Sequence, residues 1–248
     1  MWGEVIRYAE ATSTNDLARD HARRGAGEGT AVLAAFQSRG RGRRGRTWEA
    51  PAGKAMLASI ILRPPAFVLH SAWLTLAAGV AAARAVRDTT ERPANLKWPN
   101  DLVLAGKKAG GMLTETFRLP DGPACVLGFG VNLTQQAEDF SSEIETTATS
   151  LLLATGREVG AEELLARLAE HLQEFYTSLS RGDSETVRQA WCELDQTVGR
   201  EVTVEGATET WQGSAVEIDE HGALWVRTPD GENRRVTVGD VTLRYCDQ

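Results

Sequence analysis

Between Gln37 and Trp48 the chain reads QSRGRGRRGRTW, five arginines and three glycines in twelve residues. That much fixed positive charge in one loop is costly to leave without anions. Glycine lets the backbone pass close to a bound group. Arginine stays charged and offers a planar fork matched to carboxylate or phosphate. Apolar runs flank the loop, TAVLAAF (Thr30–Phe36) before it and AMLASIIL (Ala55–Leu62) after it. Both read as buried strands, so the loop belongs to a folded domain. A cradle for a polyanion, a disordered RG-rich RNA-binding run and a solvated charge run all fit these twelve residues taken alone. RNA-binding runs of this kind sit in basic, low-complexity surroundings, whereas this chain has a formal net charge of −7 and a pI near 5.3.

The acidic balance also argues against general nucleic-acid binding. A length of 248 residues with 42% hydrophobic and 25% charged content suits one large globular domain or one medium and one small. Cys125, Cys192 and Cys246 are isolated, so neither a disulfide framework nor a zinc site is indicated. The first residues, MWGEVIRYAE, lack the pattern of a secretory signal. Trp73 to Val86 is interrupted by Arg84 and reads as a buried helix, not a membrane span. A cytoplasmic protein without membrane contact is expected.

Glu4 to Tyr8 reads as a short strand. Ser13, Thr14, Asn15 and Asp16 are helix-capping types ahead of a short helix that Gly25 can end. A plain N-cap accounts for them; side chains left facing a ligand while backbone N–H groups do the capping is the functional alternative. Leu69 to Asp88 reads as an alanine-rich core helix. Lys97-Trp98-Pro99-Asn100-Asp101 reads as a strand entering a turn, with Ala105-Gly106 as a hairpin tip. Lys107 and Lys108 then precede Gly110 and Gly111. A solvated lysine pair is the bland reading; an ammonium beside two side-chain-free positions also suits a thin ligand with an anionic end. Leu119-Pro120-Asp121-Gly122 marks a turn. Cys125 to Leu133 is a buried strand whose Gly128 and Gly130 allow close approach, followed by Asn132 at its end and a polar loop from Ala137 to Thr147. Leucines recur at helical spacing from Glu162 to Leu179, and a second helix covers Ser184 to Leu194. From about Thr197 the chain turns into short alternating segments separated by EHG, PDGE and VGD turns. That pattern reads as a small β-barrel, with a boundary near Asp195 to Val198.

Taken together, these stretches resemble the biotin protein ligases. Ser13-Thr14-Asn15 matches that family's S-T-N, and Gln37 with Gly40 to Arg46 and Trp48 matches its Q-x-x-G-R-G-R-R-G-R-x-W. Lys97 to Asp101 matches K-W-P-N-D, Lys108 to Gly111 with Glu115 matches K-x-x-G…E, and Gly130 to Asn132 matches G-x-N. The resemblance runs from about Trp2 to the end. It implies an α+β fold in which helices flank a mixed, largely antiparallel sheet, the class II synthetase-like fold of biotin and lipoate ligases, with a small SH3-like C-terminal barrel. Residues 1–195 would form the catalytic domain and 196–248 the barrel. Some members carry an N-terminal winged helix and repress transcription; the signature here begins within fifteen residues, so no operator binding is expected.

The implied reaction has two steps. ATP, with Mg²⁺, activates biotin to biotinyl-5′-AMP, and a lysine of a biotin carboxyl carrier domain then takes the biotinyl group. By the same resemblance Ser13, Thr14, Asn15, Gln37, Gly40, Arg41, Gly42, Arg43, Lys108, Gly110 and Gly111 would meet biotin. Arg43, Arg46, Trp48, Asn100, Lys108 and Asn132 would meet the nucleotide. Lys108 and Arg43 would be catalytic, with Asp101 orienting or deprotonating the incoming lysine. The metal ligands are not assigned, and a homodimer is compatible with the sequence. A lipoate ligase of the same fold and a non-enzymatic anion- or RNA-binding module are the competing readings.

Overall fold

The computed structural model describes residues 2–69, 72–206, 209–237 and 240–243. Cys246, Arg244 and Tyr245 lie outside them, as do positions 70 and 71 of the expected Leu69–Asp88 helix. Seven strands form the first sheet: β1 (Val5–Tyr8), β2 (Ala31–Ala34), β3 (Ala55–Leu62), β4 (Asn95–Lys97), β5 (Asp101–Leu104), β6 (Lys107–Leu119) and β7 (Gly122–Asn132). Their order is β1-β2-β3-β7-β6-β5-β4. β1 and β2 are parallel, and the remaining neighbours are antiparallel. The tip at Ala105-Gly106 has both residues at positive φ, as a two-residue hairpin turn requires.

Among the described residues there are six α-helices: α1 (Thr14–Arg23), α2 (Ala66–Leu69), α3 (Trp73–Thr90), α4 (Leu151–Thr155), α5 (Ala161–Ser180) and α6 (Glu185–Cys192). α3, α5 and α6 pack together over one face, and α1 lies on the other. Strand periodicity sorts the side chains between these faces. On β3, Met56, Ala58, Ile60 and Leu62 enter the large core beneath α3 and α5, while Ile61 joins a small cluster beneath α1. β3 is buried along its whole length because both its faces are covered.

The C-terminal strands are β8 (Glu201–Glu205), β9 (Thr210–Ile218), β10 (Leu224–Arg227), β11 (Asn233–Val236) and β12 (Asp240–Leu243). They form a five-stranded antiparallel sheet in the order β11-β10-β9-β8-β12, where the sequence pattern predicts a small barrel. Val202, Val204, Ala215, Leu224 and Val226 alternate onto its buried face.

The two sheets are tied together. The Leu96 N–H donates to the Leu194 carbonyl (2.8 Å) and the Gln196 N–H to the Leu96 carbonyl (2.9 Å), so the segment after α6 runs beside β4. The Trp98 N–H donates to Thr197 Oγ1 (2.8 Å). The indoles of Trp73 and Trp98 donate to the carbonyls of Glu220 (2.7 Å) and Gly222 (3.1 Å) in the turn after β9.

Candidate functional site

Cross-strand register builds a trough on the α1 face of the first sheet. Gly111 on β6 stands opposite Gly130 on β7, and Gly128 stands opposite Ser59 on β3. Three neighbouring positions that would carry side chains into this face are thus empty. Their emptiness is used: a Cβ on Gly130 would lie 2.5 Å from the Trp48 ring, and one on Gly128 would collide with the Asn15 amide. The cleft above the trough is lined by the start of α1, the Arg/Gly loop, the Lys97–Asp101 turn, Lys108 and two residues of β12, Val241 and Thr242.

One end of the cleft is uncharged. Ser13 is the N-cap of α1 by its extended backbone, yet its hydroxyl makes no capping bond. Gln37 Oε1 accepts from the Thr14 N–H (2.7 Å) and lies 2.9 Å from Thr14 Oγ1. Ser59 Oγ lies 2.8 Å from Thr14 Oγ1 and 2.6 Å from Asn15 Oδ1. Ser13, Thr14, Asn15 and Ser59 are all buried, so their hydrogen-bonding groups are held in a low-dielectric setting where each bond counts.

The other end is cationic. Lys108 begins β6, and its backbone is gripped by Thr147 and Thr149 (2.8 and 2.9 Å) where the β5–β6 register shifts. Its ammonium pairs with Asp101 at 2.5 Å, and Lys97 pairs with the other Asp101 oxygen at 3.1 Å. Burial pushes the Asp101 carboxyl up, but the Lys108 and Lys97 charges outweigh it and hold the group below the usual carboxylate range. Asp101 is therefore a persistent anion that holds two lysines. Asn100 is pinned by donating to the Met112 carbonyl (2.8 Å), and its Oδ1 accepts from Arg43 at 3.4 Å.

The loop reaches both ends. Arg41 forks onto Asp16 (2.7 and 2.8 Å) and also contacts Glu115 at 3.1 Å. The Arg41 hydrogen bond, opposed by burial, keeps the Asp16 carboxyl below its ordinary range. Arg43 to Gly45 form a single 3₁₀ turn with Arg44 at φ 56°. The Arg44 guanidinium donates to the carbonyls of Glu205 and Gly206 at the end of β8, and Arg46 reaches Glu205 at 3.1 Å. Trp48 packs on Gly130, and its buried Nε1 has no hydrogen-bond partner among the described residues.

Ser13, Thr14, Asn15, Gln37, Arg41, Gly42, Arg43, Arg46, Trp48, Asn100, Asp101, Lys108 and Gly111 line this one cleft. Three expected site residues stand elsewhere. Gly110 has the alternate strand parity, and a Cβ there would meet the Gly130 carbonyl at 2.8 Å, so it serves strand packing. Gly40 lies beneath Trp48, whose N–H donates to its carbonyl at 2.9 Å. Asn132 is buried and bonded to the Thr149 carbonyl and to Gln135 (2.9 and 2.8 Å), so it braces the segment that grips Lys108. Asn15 lines the cleft, but its amide is engaged by Ser59 and Glu115 (2.8 Å). Sequence reasoning passed over Ser59 and the β12 residues, and named Lys97 and Asp16 within their motifs without giving either a role. Ser59 had a signal, as the single polar residue in an otherwise apolar strand. Val241 and Thr242 had none, because their place depends on how the two sheets meet.

Residues 7–132 match the Biotin/lipoate A/B protein ligase family, and residues 197–244 match the Biotin protein ligase C terminal domain. The chain belongs to the biotin/lipoate A/B protein ligase family. Within it, the chain is 30% identical to the bifunctional ligase/repressor BirA of Bacillus subtilis, an alignment covering 98% of this chain and 75% of that protein. It is 32% identical to the biotin–[acetyl-CoA-carboxylase] ligase of Mycobacterium tuberculosis, over 97% of this chain and 89% of that one. The structure of a biotin protein ligase from Aquifex aeolicus in complex with biotin and ATP superposes with a TM-score of 0.84 at 27% identity, covering 98% of this chain and 99% of the other. The biotin/lipoate ligase fold thus extends through both sheets of this chain. Among the described residues no helix is long and apolar enough to cross a membrane.

Proposed function

We propose that this protein is an ATP-dependent biotin protein ligase that acts in two steps. Biotin's carboxylate oxygen attacks the α-phosphorus of ATP, forming biotinyl-5′-AMP and expelling pyrophosphate. The amine of an acceptor lysine then attacks the acyl carbon, forming the amide and expelling AMP. The acceptor is the biotin domain of a carboxylase. The observation that carries this reading is one cleft with a neutral hydrogen-bonding end, a cationic end, and side-chain-free strand positions between them.

The neutral end suits a cyclic urea, which brings both N–H donors and a carbonyl acceptor. Ser13, Thr14 and Gln37 are the groups for it, with the Arg41–Gly42 backbone alongside. Gly111 leaves room for the aliphatic chain. Lys108 would then lie between biotin's carboxylate and the α-phosphate. It would exchange its Asp101 partner for these anions, align them and offset their repulsion. Lys97 would remain to neutralise Asp101. In this reading Asp101 orients the cations around it, holding Lys97 when Lys108 turns to the anions. Arg43 and Arg46 would meet the phosphates, with Asn100 positioning Arg43 and Trp48 offering its ring to the base.

Among the described residues no group of three or more His, Cys, Asp or Glu side chains is placed to hold a metal ion. Mg²⁺ would accordingly arrive on the ATP polyphosphate and add charge neutralisation there. Residues 1–195 would act as the catalytic domain, and the C-terminal sheet of 196–248 would close the nucleotide end through β8 and β12. Pyrophosphate release from ATP, measured with biotin and in parallel with lipoate, tests the reading. Biotin-dependent release is expected; release with lipoate alone would replace the substrate.

A further inference from the structure

Lys108 is held by the stretch of chain between β7 and α4. Its N–H donates to the Thr147 carbonyl at 2.8 Å, and its carbonyl accepts from the Thr149 N–H at 2.9 Å. Thr149 is in turn fixed by a row of polar groups. Its carbonyl accepts from Asn132 Nδ2 at 2.9 Å, and Asn132 Oδ1 accepts from Gln135 Nε2 at 2.8 Å. The Gln135 backbone is seated by Ser150, whose hydroxyl donates to the Gln135 carbonyl at 2.7 Å and caps α4 by accepting from the Leu153 N–H at 3.1 Å. Asn132, Gln135, Thr149 and Ser150 are all buried. Neither amide side chain lines the cleft.

The direction of this row is forced. A carbonyl only accepts, so Asn132 must turn its Nδ2 to Thr149 and its oxygen to Gln135. Gln135 must then present its Nε2. Its own Oε1 is left buried and without a hydrogen-bond partner among the described residues. A buried unpaired acceptor is costly. An apolar side chain of similar length at 135 would remove that unpaired oxygen and leave one on Asn132 instead, at little net cost. Stability therefore does not account for an amide here, whereas its donor does have a task.

We propose that Gln135 is a positioning residue for Lys108, acting through Asn132 and Thr149. Its Nε2 holds the Asn132 amide in the one orientation that can donate to Thr149, and Thr149 holds the Lys108 backbone. Without that donor Asn132 is free to turn, the Thr149 carbonyl loses its partner, and the ammonium of Lys108 is no longer held to one place. The inference rests on the ligase reading for what Lys108 does in the cleft and adds to it what aligns that residue from outside.

Two substitutions separate a donor from a space-filling side chain. Gln135→Met removes the donor at every pH. Gln135→Glu keeps the shape and supplies a donor only when its carboxyl is protonated, which burial favours. Folding is checked by circular dichroism at pH 6 and pH 9. Single-turnover pyrophosphate release at saturating biotin and ATP is expected to slow by about tenfold or more in Gln135→Met at both pH values, with the half-saturating concentrations of both substrates within about twofold of wild type. Gln135→Glu is expected to stay within about threefold of wild type at pH 6 and to fall to the level of Gln135→Met at pH 9. That pH comparison carries the test by itself if Gln135→Met does not fold. Hydrogen exchange at the Lys108 and Thr149 amides is expected to speed by about tenfold or more in folded Gln135→Met. Wild-type release in folded Gln135→Met, a loss confined to the half-saturating ATP concentration, equal losses in Gln135→Glu at both pH values, or unchanged exchange overturns the proposal. A wild-type protein without biotin-dependent release overturns the ligase reading instead, and the exchange comparison still decides whether Gln135 braces Lys108.

Discussion

At Lys108 a compact charge is placed by three constraints: a register shift in the strand pairing, a backbone gripped by Thr147 and Thr149, and a buried carboxylate. Lys108→Ala is expected to lower the rate of biotinyl-adenylate formation by about a hundredfold or more, near 3 kcal/mol of transition-state contact, with the circular dichroism spectrum unchanged. A wild-type rate in a single-turnover assay would remove Lys108 from the chemistry. Gly130→Ala acts on a neighbouring requirement. The added methyl would meet the Trp48 ring at 2.5 Å, so Trp48 must leave its seat. ATP affinity is expected to fall roughly tenfold or more, within the range of overpacking costs, with biotin affinity less affected; equal losses for both ligands would argue against a nucleotide role for Trp48.

The Arg/Gly loop is held at two points that differ in kind. Arg41 forks onto Asp16 and Glu115 of the first sheet's α1 face, whereas Arg44 and Arg46 reach across to β8. Anions bound in the cleft would compete with Glu205 for Arg46, so the outer part of the loop is the part that should respond to ligand. Trypsin cleavage between Arg43 and Arg46 is expected to slow by severalfold when biotin and ATP are added together. Arg44→Ala should speed cleavage of the empty protein and leave the ligand-bound protein protected. Identical digestion with and without ligands would rule out ligand-dependent ordering.

On the scale of the whole molecule, the seam between the two sheets contains a carboxyl under strain. Asp195 Oδ2 accepts from the Val198 N–H at 2.8 Å, while its buried Oδ1 has no hydrogen-bond partner among the described residues. Burial pushes this carboxyl above its ordinary range. Since the folded state disfavours its ionised form, wild-type stability falls as pH rises through the unfolded-state value, about 3.9, toward the raised folded one. Asp195→Asn keeps an acceptor for Val198 and removes the charge. It is expected to raise stability by on the order of 1 kcal/mol at pH 7.5 and by little at pH 3.5, as read by urea unfolding at the two pH values. A gain equal at both pH values would show that ionisation is not the cause.

Much of the site could be read along the chain because it is written in contiguous runs. The Arg/Gly loop, the Lys97–Asp101 turn and the paired glycines declare themselves by composition, since few folded contexts tolerate such charge or such loss of side chains. Helix spacing and the turn signals likewise located α5, α6 and the hairpin tips, because local periodicity and turn chemistry act over a few residues. The sequence alone indicated a change from a mixed α+β part to a run of short strands, and left a polyanion cradle as one of the readings of the arginine and glycine loop. Tertiary structure decided which side chains meet. Strand parity sent Gly111 into the cleft and Gly110 into strand packing, and cross-strand register set Ser59 beside Asn15. The bracing of Asn132 away from the cleft, the Asp101 grip on two lysines and the approach of β12 also arose between distant segments. Such pairings depend on register and on the packing of whole sheets, and no local pattern encodes them.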